Sequence, residues 1–348
     1  MKKTIKAMMI SGILATTLLA VGGCGNKQES LNVYNWGDYI DESVNTQFTK
    51  ETGIKVNYKT FATNEDMYVD IEAGGSVYDV AFPSDYMIEK MIKNDLVEKM
   101  DMANMPNHIN VDERFRGMQY DPTNEYSVPY MWGTVGIIYN IKTVKEPVES
   151  WDVLWDPQYE KQILMMDSQR DSIMVALKKL GYDMNTRDEG ELEKAKQELI
   201  NQKPLVLAYV GDEGKDKIIN EEAAMMVAWS GDAVYMMREN EDLRYAIPKE
   251  GSNYWVDGMV IPKGAKNKAA AEKYIDFLCR EDISAMNAEY IGYSTPITAA
   301  RELLPEEEAN SDVAYPAEDV TDQLEVFTDP SDIVKLYDRI WTEVKAAR

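Results

Sequence analysis

Along residues 31–96 the spacing of apolar positions switches back and forth between two residues and about four. LNVYNW (31–36) is strand-like in content, and DESVNTQFTKETG (41–53) follows as a helix, with Asp41 as N-cap, Val44 and Phe48 on one face and Gly53 as its stop. IKVNYKT (54–60) alternates, with Ile54, Val56 and Tyr58 on one side, which predicts a strand. NEDMYVDIEAGG (64–75) reads as a helix capped by Asn64, and VYDVAFP (77–83) as a strand. SDYMIEKMIKNDL (84–96) reads as a helix capped by Ser84 with Ile88, Met91 and Ile92 turned inward. Strand and helix in turn predict a parallel sheet covered on both faces.

SVPYMWGTVGIIYN (127–140) is a long β-rich run with Gly133 and Gly136, suited to a strand that leaves one lobe and enters another. A second α/β section follows: strands at 161–167, 205–210 and 223–231, and helices at 171–182 and 191–202. YAIPKEGSNYWVDGMVIP (245–262) reads as a second crossing, and the helix at 268–279 and the segment EYIGYSTP (289–296) belong to the first lobe again. The helix SDIVKLYDRIWTEVK (331–345) has Ile333, Ile340 and Val344 on one side and fits either lobe. The expectation is an α/β chain of two lobes joined by two crossings: residues 31–136 plus 259–320, and residues 137–258 plus 321–348. More than 300 residues exceed what one core usually supports, which favours the same division.

The chain opens MKKTIKAMMISGILATTLLAVGGCG, an uncharged stretch behind three lysines. It is short for a roughly 30 Å hydrocarbon core and has the layout of an export signal. Residues 1–23 are therefore expected to be removed. The stretch VGGC resembles the lipobox of bacterial lipoproteins, which implies that Cys24 carries lipid and that residues 24–30 tether the chain to the outer face of the cell membrane. The other cysteine, Cys279, reads as a buried helix residue, so no disulfide is expected. The formal charge is −24, and loss of Lys2, Lys3 and Lys6 makes it three units more negative. Such a surface disfavours nucleic acid, which needs a basic patch, and attracts cations.

Ligands of open α/β sheets sit beyond the carboxyl ends of the strands. There the chain places Trp36, Gly37, Asp38 and Tyr39 after its first strand, and Ser84, Asp85 and Tyr86 after its third. In NYWVDG (253–258), Trp255 and Asp257 are two residues apart, so an extended chain presents an indole and a carboxylate to one volume, a pair suited to an organic cation. Two α/β lobes behind a lipoprotein signal describe a solute-binding protein of a membrane transporter, closing by a hinge on a ligand in the cleft.

The segments YNWGDYI, VAFPSDYMIEKM, SVPYMWGTVGI, SWDVLWDPQYEKQILMMD, VAWSGDA, EGSNYWVDGMVIP and IGYSTP occur in this order across residues 31–348. Together they resemble the polyamine-binding proteins of spermidine/putrescine ABC transporters. The resemblance implies a type II periplasmic-binding-protein-like fold, a monomer without cofactor or metal, and delivery of ligand to an ABC permease and its ATPase. It further implies that Trp36 and Tyr39 line the cleft, that Asp38 meets one terminal ammonium, and that Ser84 and Tyr86 stand in the wall. Asp171, Trp229, Trp255 and Asp257 would come from the second lobe and the hinge, and Tyr293 from the returning first lobe. Trp255 would cover methylenes while Asp257 takes an ammonium.

The chain departs from that pattern at several positions. Ser168 stands where an acid is expected, Asp171 where a glutamate is, Gly37 where a hydroxyl residue is common, and Phe327 where a glutamine is expected. Putrescine and spermidine therefore stand as equal candidates. Asp171 has a second reading, as the capping acid of the helix that follows it. Trp151 and Trp155 read as core, and Met165, Met166, Met225 and Met226 as packing. An acidic glycoside hydrolase is disfavoured, since no acid pair stands out and GxSxG, HExxH and phosphate-loop motifs are absent. A binding protein for another amine or solute is the stronger rival.

Overall fold

The structure is a computed structural model and describes residues 29–74 and 77–347. The signal and Cys24 lie outside the described residues. The strands are β1 (Ser30–Trp36), β2 (Lys55–Phe61), β3 (Val80–Ala81), β4 (Ser127–Asn140), β5 (Ile163–Met166), β6 (Val206–Val210), β7 (Met225–Trp229), β8 (Leu243–Ala246) and β9 (Tyr254–Val260). The longer helices are α1 (Glu42–Thr52), α2 (Asn64–Gly74), α3 (Asp85–Lys93), α4 (Gln169–Lys179), α5 (Glu189–Gln202), α6 (Glu213–Ile219), α7 (Ser230–Glu239), α8 (Lys268–Leu278) and α9 (Glu281–Ile291), followed by the C-terminal helix Val334–Ala346.

Strand order is β2-β1-β3-β9-β4-β7-β5-β6, with β8 paired to β4. The early alternation of strand and helix gives the parallel set β2-β1-β3, as its pattern predicts. β9 and β4 run antiparallel to their neighbours, because both belong to the segments that pass between the halves of the molecule. β4 joins the two halves: Ser127–Thr134 pairs with β9, and Val135–Asn140 pairs with β7 and β8. All of β9 pairs within the β1 half, so the return passage runs between Ala246 and Tyr254, through residues 247–253.

Helix ends follow local chemistry in most places. The Asp41 carboxylate accepts the Ser43 amide, and Gly53 closes α1 at φ 76°, in the left-handed region that glycine enters at no steric cost. Asn64, expected as a cap, is the first residue of α2; the Thr63 hydroxyl accepts the Asp66 amide instead, and the Asn64 side chain reaches across to Ser84 and Tyr86. Ser84 holds the N-cap position of α3 without a capping hydrogen bond from its side chain. Asp171 does not cap α4: Ser168 does, accepting the Asp171 amide, while its hydroxyl donates to Asp171 Oδ2 at 2.6 Å. The spacing is that of a capping box, but here the acid accepts from the serine hydroxyl and not from its backbone amide.

Trp151 is fully buried, Met165 and Met225 lie in the core, and Cys279 is buried. The C-terminal helix packs on α4 and α5, in the β5–β7 half, with Ile340 and Val344 buried. Two halves of a strongly curled sheet, each covered by helices, give the two-lobed α/β architecture.

Candidate functional site

β9 supplies the centre of the cleft. Trp255 and Asp257 share a face, as strand alternation requires, and are 8% and 7% exposed. Gly133 on β4, opposite Trp255, leaves the room its indole needs: a Cβ there would fall 2.5 Å from Trp255 Cζ2. The Tyr39 hydroxyl donates to Asp257 Oδ2 at 2.8 Å, and the Ser84 hydroxyl also bonds this carboxylate, Ser84 and Asp257 being bridged through their backbones. Oδ1 of Asp257 is buried and unpartnered. Burial pushes this carboxyl up to about 6, against the hydrogen bonds from Ser84 and Tyr39 that hold it down.

Aromatic rings enclose that carboxylate. Tyr293 meets Trp255 edge-on at 5.1 Å and Tyr39 at 5.7 Å, and the Tyr130 hydroxyl donates to the Tyr39 carbonyl at 2.8 Å. Tyr293 fits because position 231 is glycine: a Cβ there would lie 1.9 Å from its ring. Beside Asp257, Asp85 is buried at the start of α3, its Oδ1 accepting the Tyr86 amide and its Oδ2 the Val256 amide. Burial raises its carboxyl to about 7, and the charge of Asp257 adds to the rise.

α3 links this group to the start of α4. Asn64 Nδ2 donates to both the Ser84 and the Tyr86 hydroxyls at 3.1 Å and fixes the first turn of α3. The Arg170 guanidinium lies 4.5 Å from the centre of the Tyr86 ring and 4.1 Å from that of Phe327. Asp171, the next residue, is buried; desolvation raises its carboxyl, while Ser168 and Arg170 lower it.

Of the other residues expected in the site, Trp36 is half-buried at the end of β1, its indole N–H donating to the Phe82 carbonyl at 2.8 Å. Gly37 and Asp38 are exposed in the following turn, Asp38 at φ 48°. Trp229 is half-buried at the N-cap of α7. Three contributors escaped the sequence reading: Asn64, Tyr130 and Asp232, which is partly buried in the first turn of α7 and hydrogen-bonded with Tyr293. Only Asp232 had a signal, in VAWSGDA, where an acid follows a strand end and a helix start.

α3, α4 and α7 each carry an aspartate in the first turn, Asp85, Asp171 and Asp232. A helix N-terminus carries about half a positive charge, so each of these acids offsets the end of its own helix. Asp257 is on a strand and has no such partner, and among the described residues no lysine or arginine pairs with it. The arrangement offers one uncompensated carboxylate inside an aromatic box, which suits a desolvated ammonium. Among the described residues no group of three or more histidine, cysteine, aspartate or glutamate side chains could hold a metal ion.

Residues 44–317 match the family described as bacterial extracellular solute-binding protein. The chain is 37% identical over 350 aligned positions to the spermidine/putrescine-binding periplasmic protein of Escherichia coli, the match covering all of both chains. It is 33% identical to the putrescine-binding periplasmic protein SpuD of Pseudomonas aeruginosa, over 99% of this chain and 98% of that one. A solved structure, a putative spermidine/putrescine ABC transporter protein from Listeria monocytogenes, superposes with a TM-score of 0.87 at 44% identity, covering 92% of this chain and 100% of that one.

Proposed function

The chain belongs to the bacterial extracellular solute-binding proteins, and from that premise we propose that it captures a polyamine, putrescine or spermidine, in the cleft around Asp257 and delivers it to an ABC permease and its ATPase. The observation that carries this reading is the buried Asp257 carboxylate, one oxygen unpartnered, among Tyr39, Trp255 and Tyr293. An ammonium at Oδ1 satisfies the orphan acceptor and removes the cost of burying an unpaired charge. Trp255 and Tyr293 cover the methylenes that follow. Trp36, Ser84, Tyr86, Asp171 and Trp229 form the rest of the wall, and Asp38 stands at its exposed rim.

The magnitudes are sufficient. A cation over a desolvated indole gains up to about 2 kcal/mol, and each charge-assisted hydrogen bond roughly 1.5 to 3 kcal/mol. Two or three such contacts, less desolvation and ordering, reach the roughly −8 kcal/mol of micromolar binding. The lobes proposed for the capture are residues 31–136 plus 254–320 and residues 137–253 plus 321–348, β9 going to the first lobe and not, as its sequence suggested, to the second, with a lipid on Cys24 holding the monomer outside the membrane. The relatives are transporter binding proteins, and the site offers a cation box in place of a nucleophile or a metal.

Isothermal titration of the chain from residue 26, unfolded and refolded to strip ligand, tests this with putrescine and then spermidine. Binding of either at micromolar or lower Kd supports the reading, and no heat from folded protein with either sinks it.

A further inference from the structure

Asp85 stands between Ser84 and Tyr86, yet it is 1% exposed and its carboxylate is turned to the backbone. β3 runs antiparallel to β9, with Ala81 opposite Val260, and the chain continues along the same edge of β9. Gly258 donates its amide to the Pro83 carbonyl at 3.0 Å, and Ser84 is bridged to Asp257. Amides of alternate residues face one edge of a strand, so Val256 is the next donor in line. There the chain turns into α3, and a side chain stands where a strand carbonyl would. Asp85 Oδ2 accepts the Val256 amide at 3.1 Å while Oδ1 accepts the Tyr86 amide at 2.6 Å.

One carboxylate thus closes both the edge of β9 and the open end of α3. Val256 lies between Trp255 and Asp257, so what Asp85 grips is the backbone that aims the indole and the carboxylate of the cleft. Asp85 is also a second buried acid behind Asp257. Of the groups that face it, the Tyr120 hydroxyl, buried without a partner, and Tyr254 on β9 are both raised by burial and stay neutral near pH 7. Arg170 on α4 keeps its charge throughout and lowers the Asp85 carboxyl. That leaves Asp257, whose charge acts on Asp85 and is the charge a ligand ammonium cancels.

We propose that Asp85 is a positioning residue for the amine: its carboxylate replaces a strand carbonyl on Val256, holds Trp255 and Asp257 toward the cleft, and sheds a proton when an ammonium docks on Asp257. This rests on the polyamine reading. In the empty protein burial, with the Asp257 charge added to it, raises the Asp85 carboxyl to about 7, so it keeps its proton about half the time at neutral pH. An ammonium on Asp257 removes the repulsion and attracts a second negative charge. Asp85 then ionises, the proton passes to the buffer, and both backbone amides meet a full carboxylate.

Calorimetry at pH 7 in two buffers of different ionisation enthalpy counts the protons released on binding. It uses the refolded chain from residue 26, wild type and Asp85→Asn, with whichever of putrescine and spermidine the wild type binds, and near-UV circular dichroism checks folding. In Asp85→Asn the side-chain oxygen accepts from one backbone amide and its NH2 is set against the other. Wild type is expected to release roughly 0.3–0.5 proton per ligand and Asp85→Asn about 0.1, the share of Asp257 alone. At pH 8 the variant binds at least about threefold more weakly. A part in the backbone ladder alone would lower affinity and leave the proton count as it was. A count above half the wild-type value in folded Asp85→Asn, or an affinity at pH 8 within threefold of wild type, overturns this inference alone. Should the variant not fold, the wild type decides: release below about 0.2 proton overturns the inference, and release above that supports it. A wild type that binds neither amine overturns the polyamine reading and this inference with it.

Discussion

The β9 end and the α4 end of the cleft each hold a buried aspartate, and they differ in what each carboxylate already has. Asp171 sits in the first turn of a helix, bonded to the Ser168 hydroxyl and next in sequence to Arg170, whose charge lowers its carboxyl. Asp257 sits on a strand, with hydroxyls on one oxygen and nothing on the other. A serine hydroxyl and a helix end engage the first, whereas the second is left for a ligand. Charge that a fold has already balanced contributes structure, and charge that it leaves unbalanced contributes affinity.

The sharpest way to break this contrast is to remove the charge at β9. Asp257→Asn keeps the shape and lowers affinity for putrescine or spermidine by at least about thirtyfold, since losing one partner of a buried charged hydrogen bond costs about 2–5 kcal/mol. The ligand-free variant melts higher than wild type at pH 8, because it no longer buries an ionised carboxylate. The gap closes toward pH 5, as wild-type Asp257, its carboxyl raised to about 6, takes up a proton. A variant of unchanged affinity would place the ammonium elsewhere.

A smaller effect follows from pH alone. A proton and an ammonium compete for Asp257, so wild-type affinity holds at pH 7 and falls by about tenfold per unit below about 6. Alkyl amines with pKa values near 10 stay charged throughout, which leaves the protein as the source of the change. Asp85, raised to about 7, is coupled to Asp257, so the two titrate as a pair and broaden the fall. Calorimetry from pH 5 to pH 8 checks it, and a flat profile would contradict an ionised Asp257 as the recognition group.

Much of the β9 end was legible in the sequence. The two-residue spacing of Trp255 and Asp257 carries its own geometry once the segment is a strand, and Asp41 and Gly53 mark α1 by local chemistry. Contacts between distant segments were not legible. Tyr39 and Asp257 are 218 residues apart, and nothing local in Asn64 says that it leaves its own helix cap for Ser84 and Tyr86. Asp171 shows the same limit: an acid near a helix start reads as a cap, and only the structure shows Ser168 in that place. Asp38 reads like its neighbour Tyr39, yet a left-handed turn leaves it exposed while Tyr39 is buried against Asp257.

The mildest test of the contrast is Asp171→Asn. The Ser168 hydroxyl then faces an amide, and the first turn of α4 loses a charge worth about 0.3–1 kcal/mol. Desolvation, which leaves this carboxyl above its ordinary value, works the other way, so the melting temperature moves by no more than about 1–3 °C. Affinity for putrescine falls by only about three- to tenfold, because the Ser168 hydroxyl and the helix end already engage the lost carboxylate. Burial raises both carboxyls, so neutralising either relieves a desolvation cost at pH 8; at Asp171 that gain is opposed by the lost contacts with Ser168 and the helix end, so its stability change is smaller than at Asp257. Differential scanning calorimetry of both variants without ligand, followed by titration with putrescine, reads both quantities. Equal affinity losses at the two positions would mean that the α4 end holds an ammonium as the β9 end does, and the division of labour between the two aspartates would have to be given up.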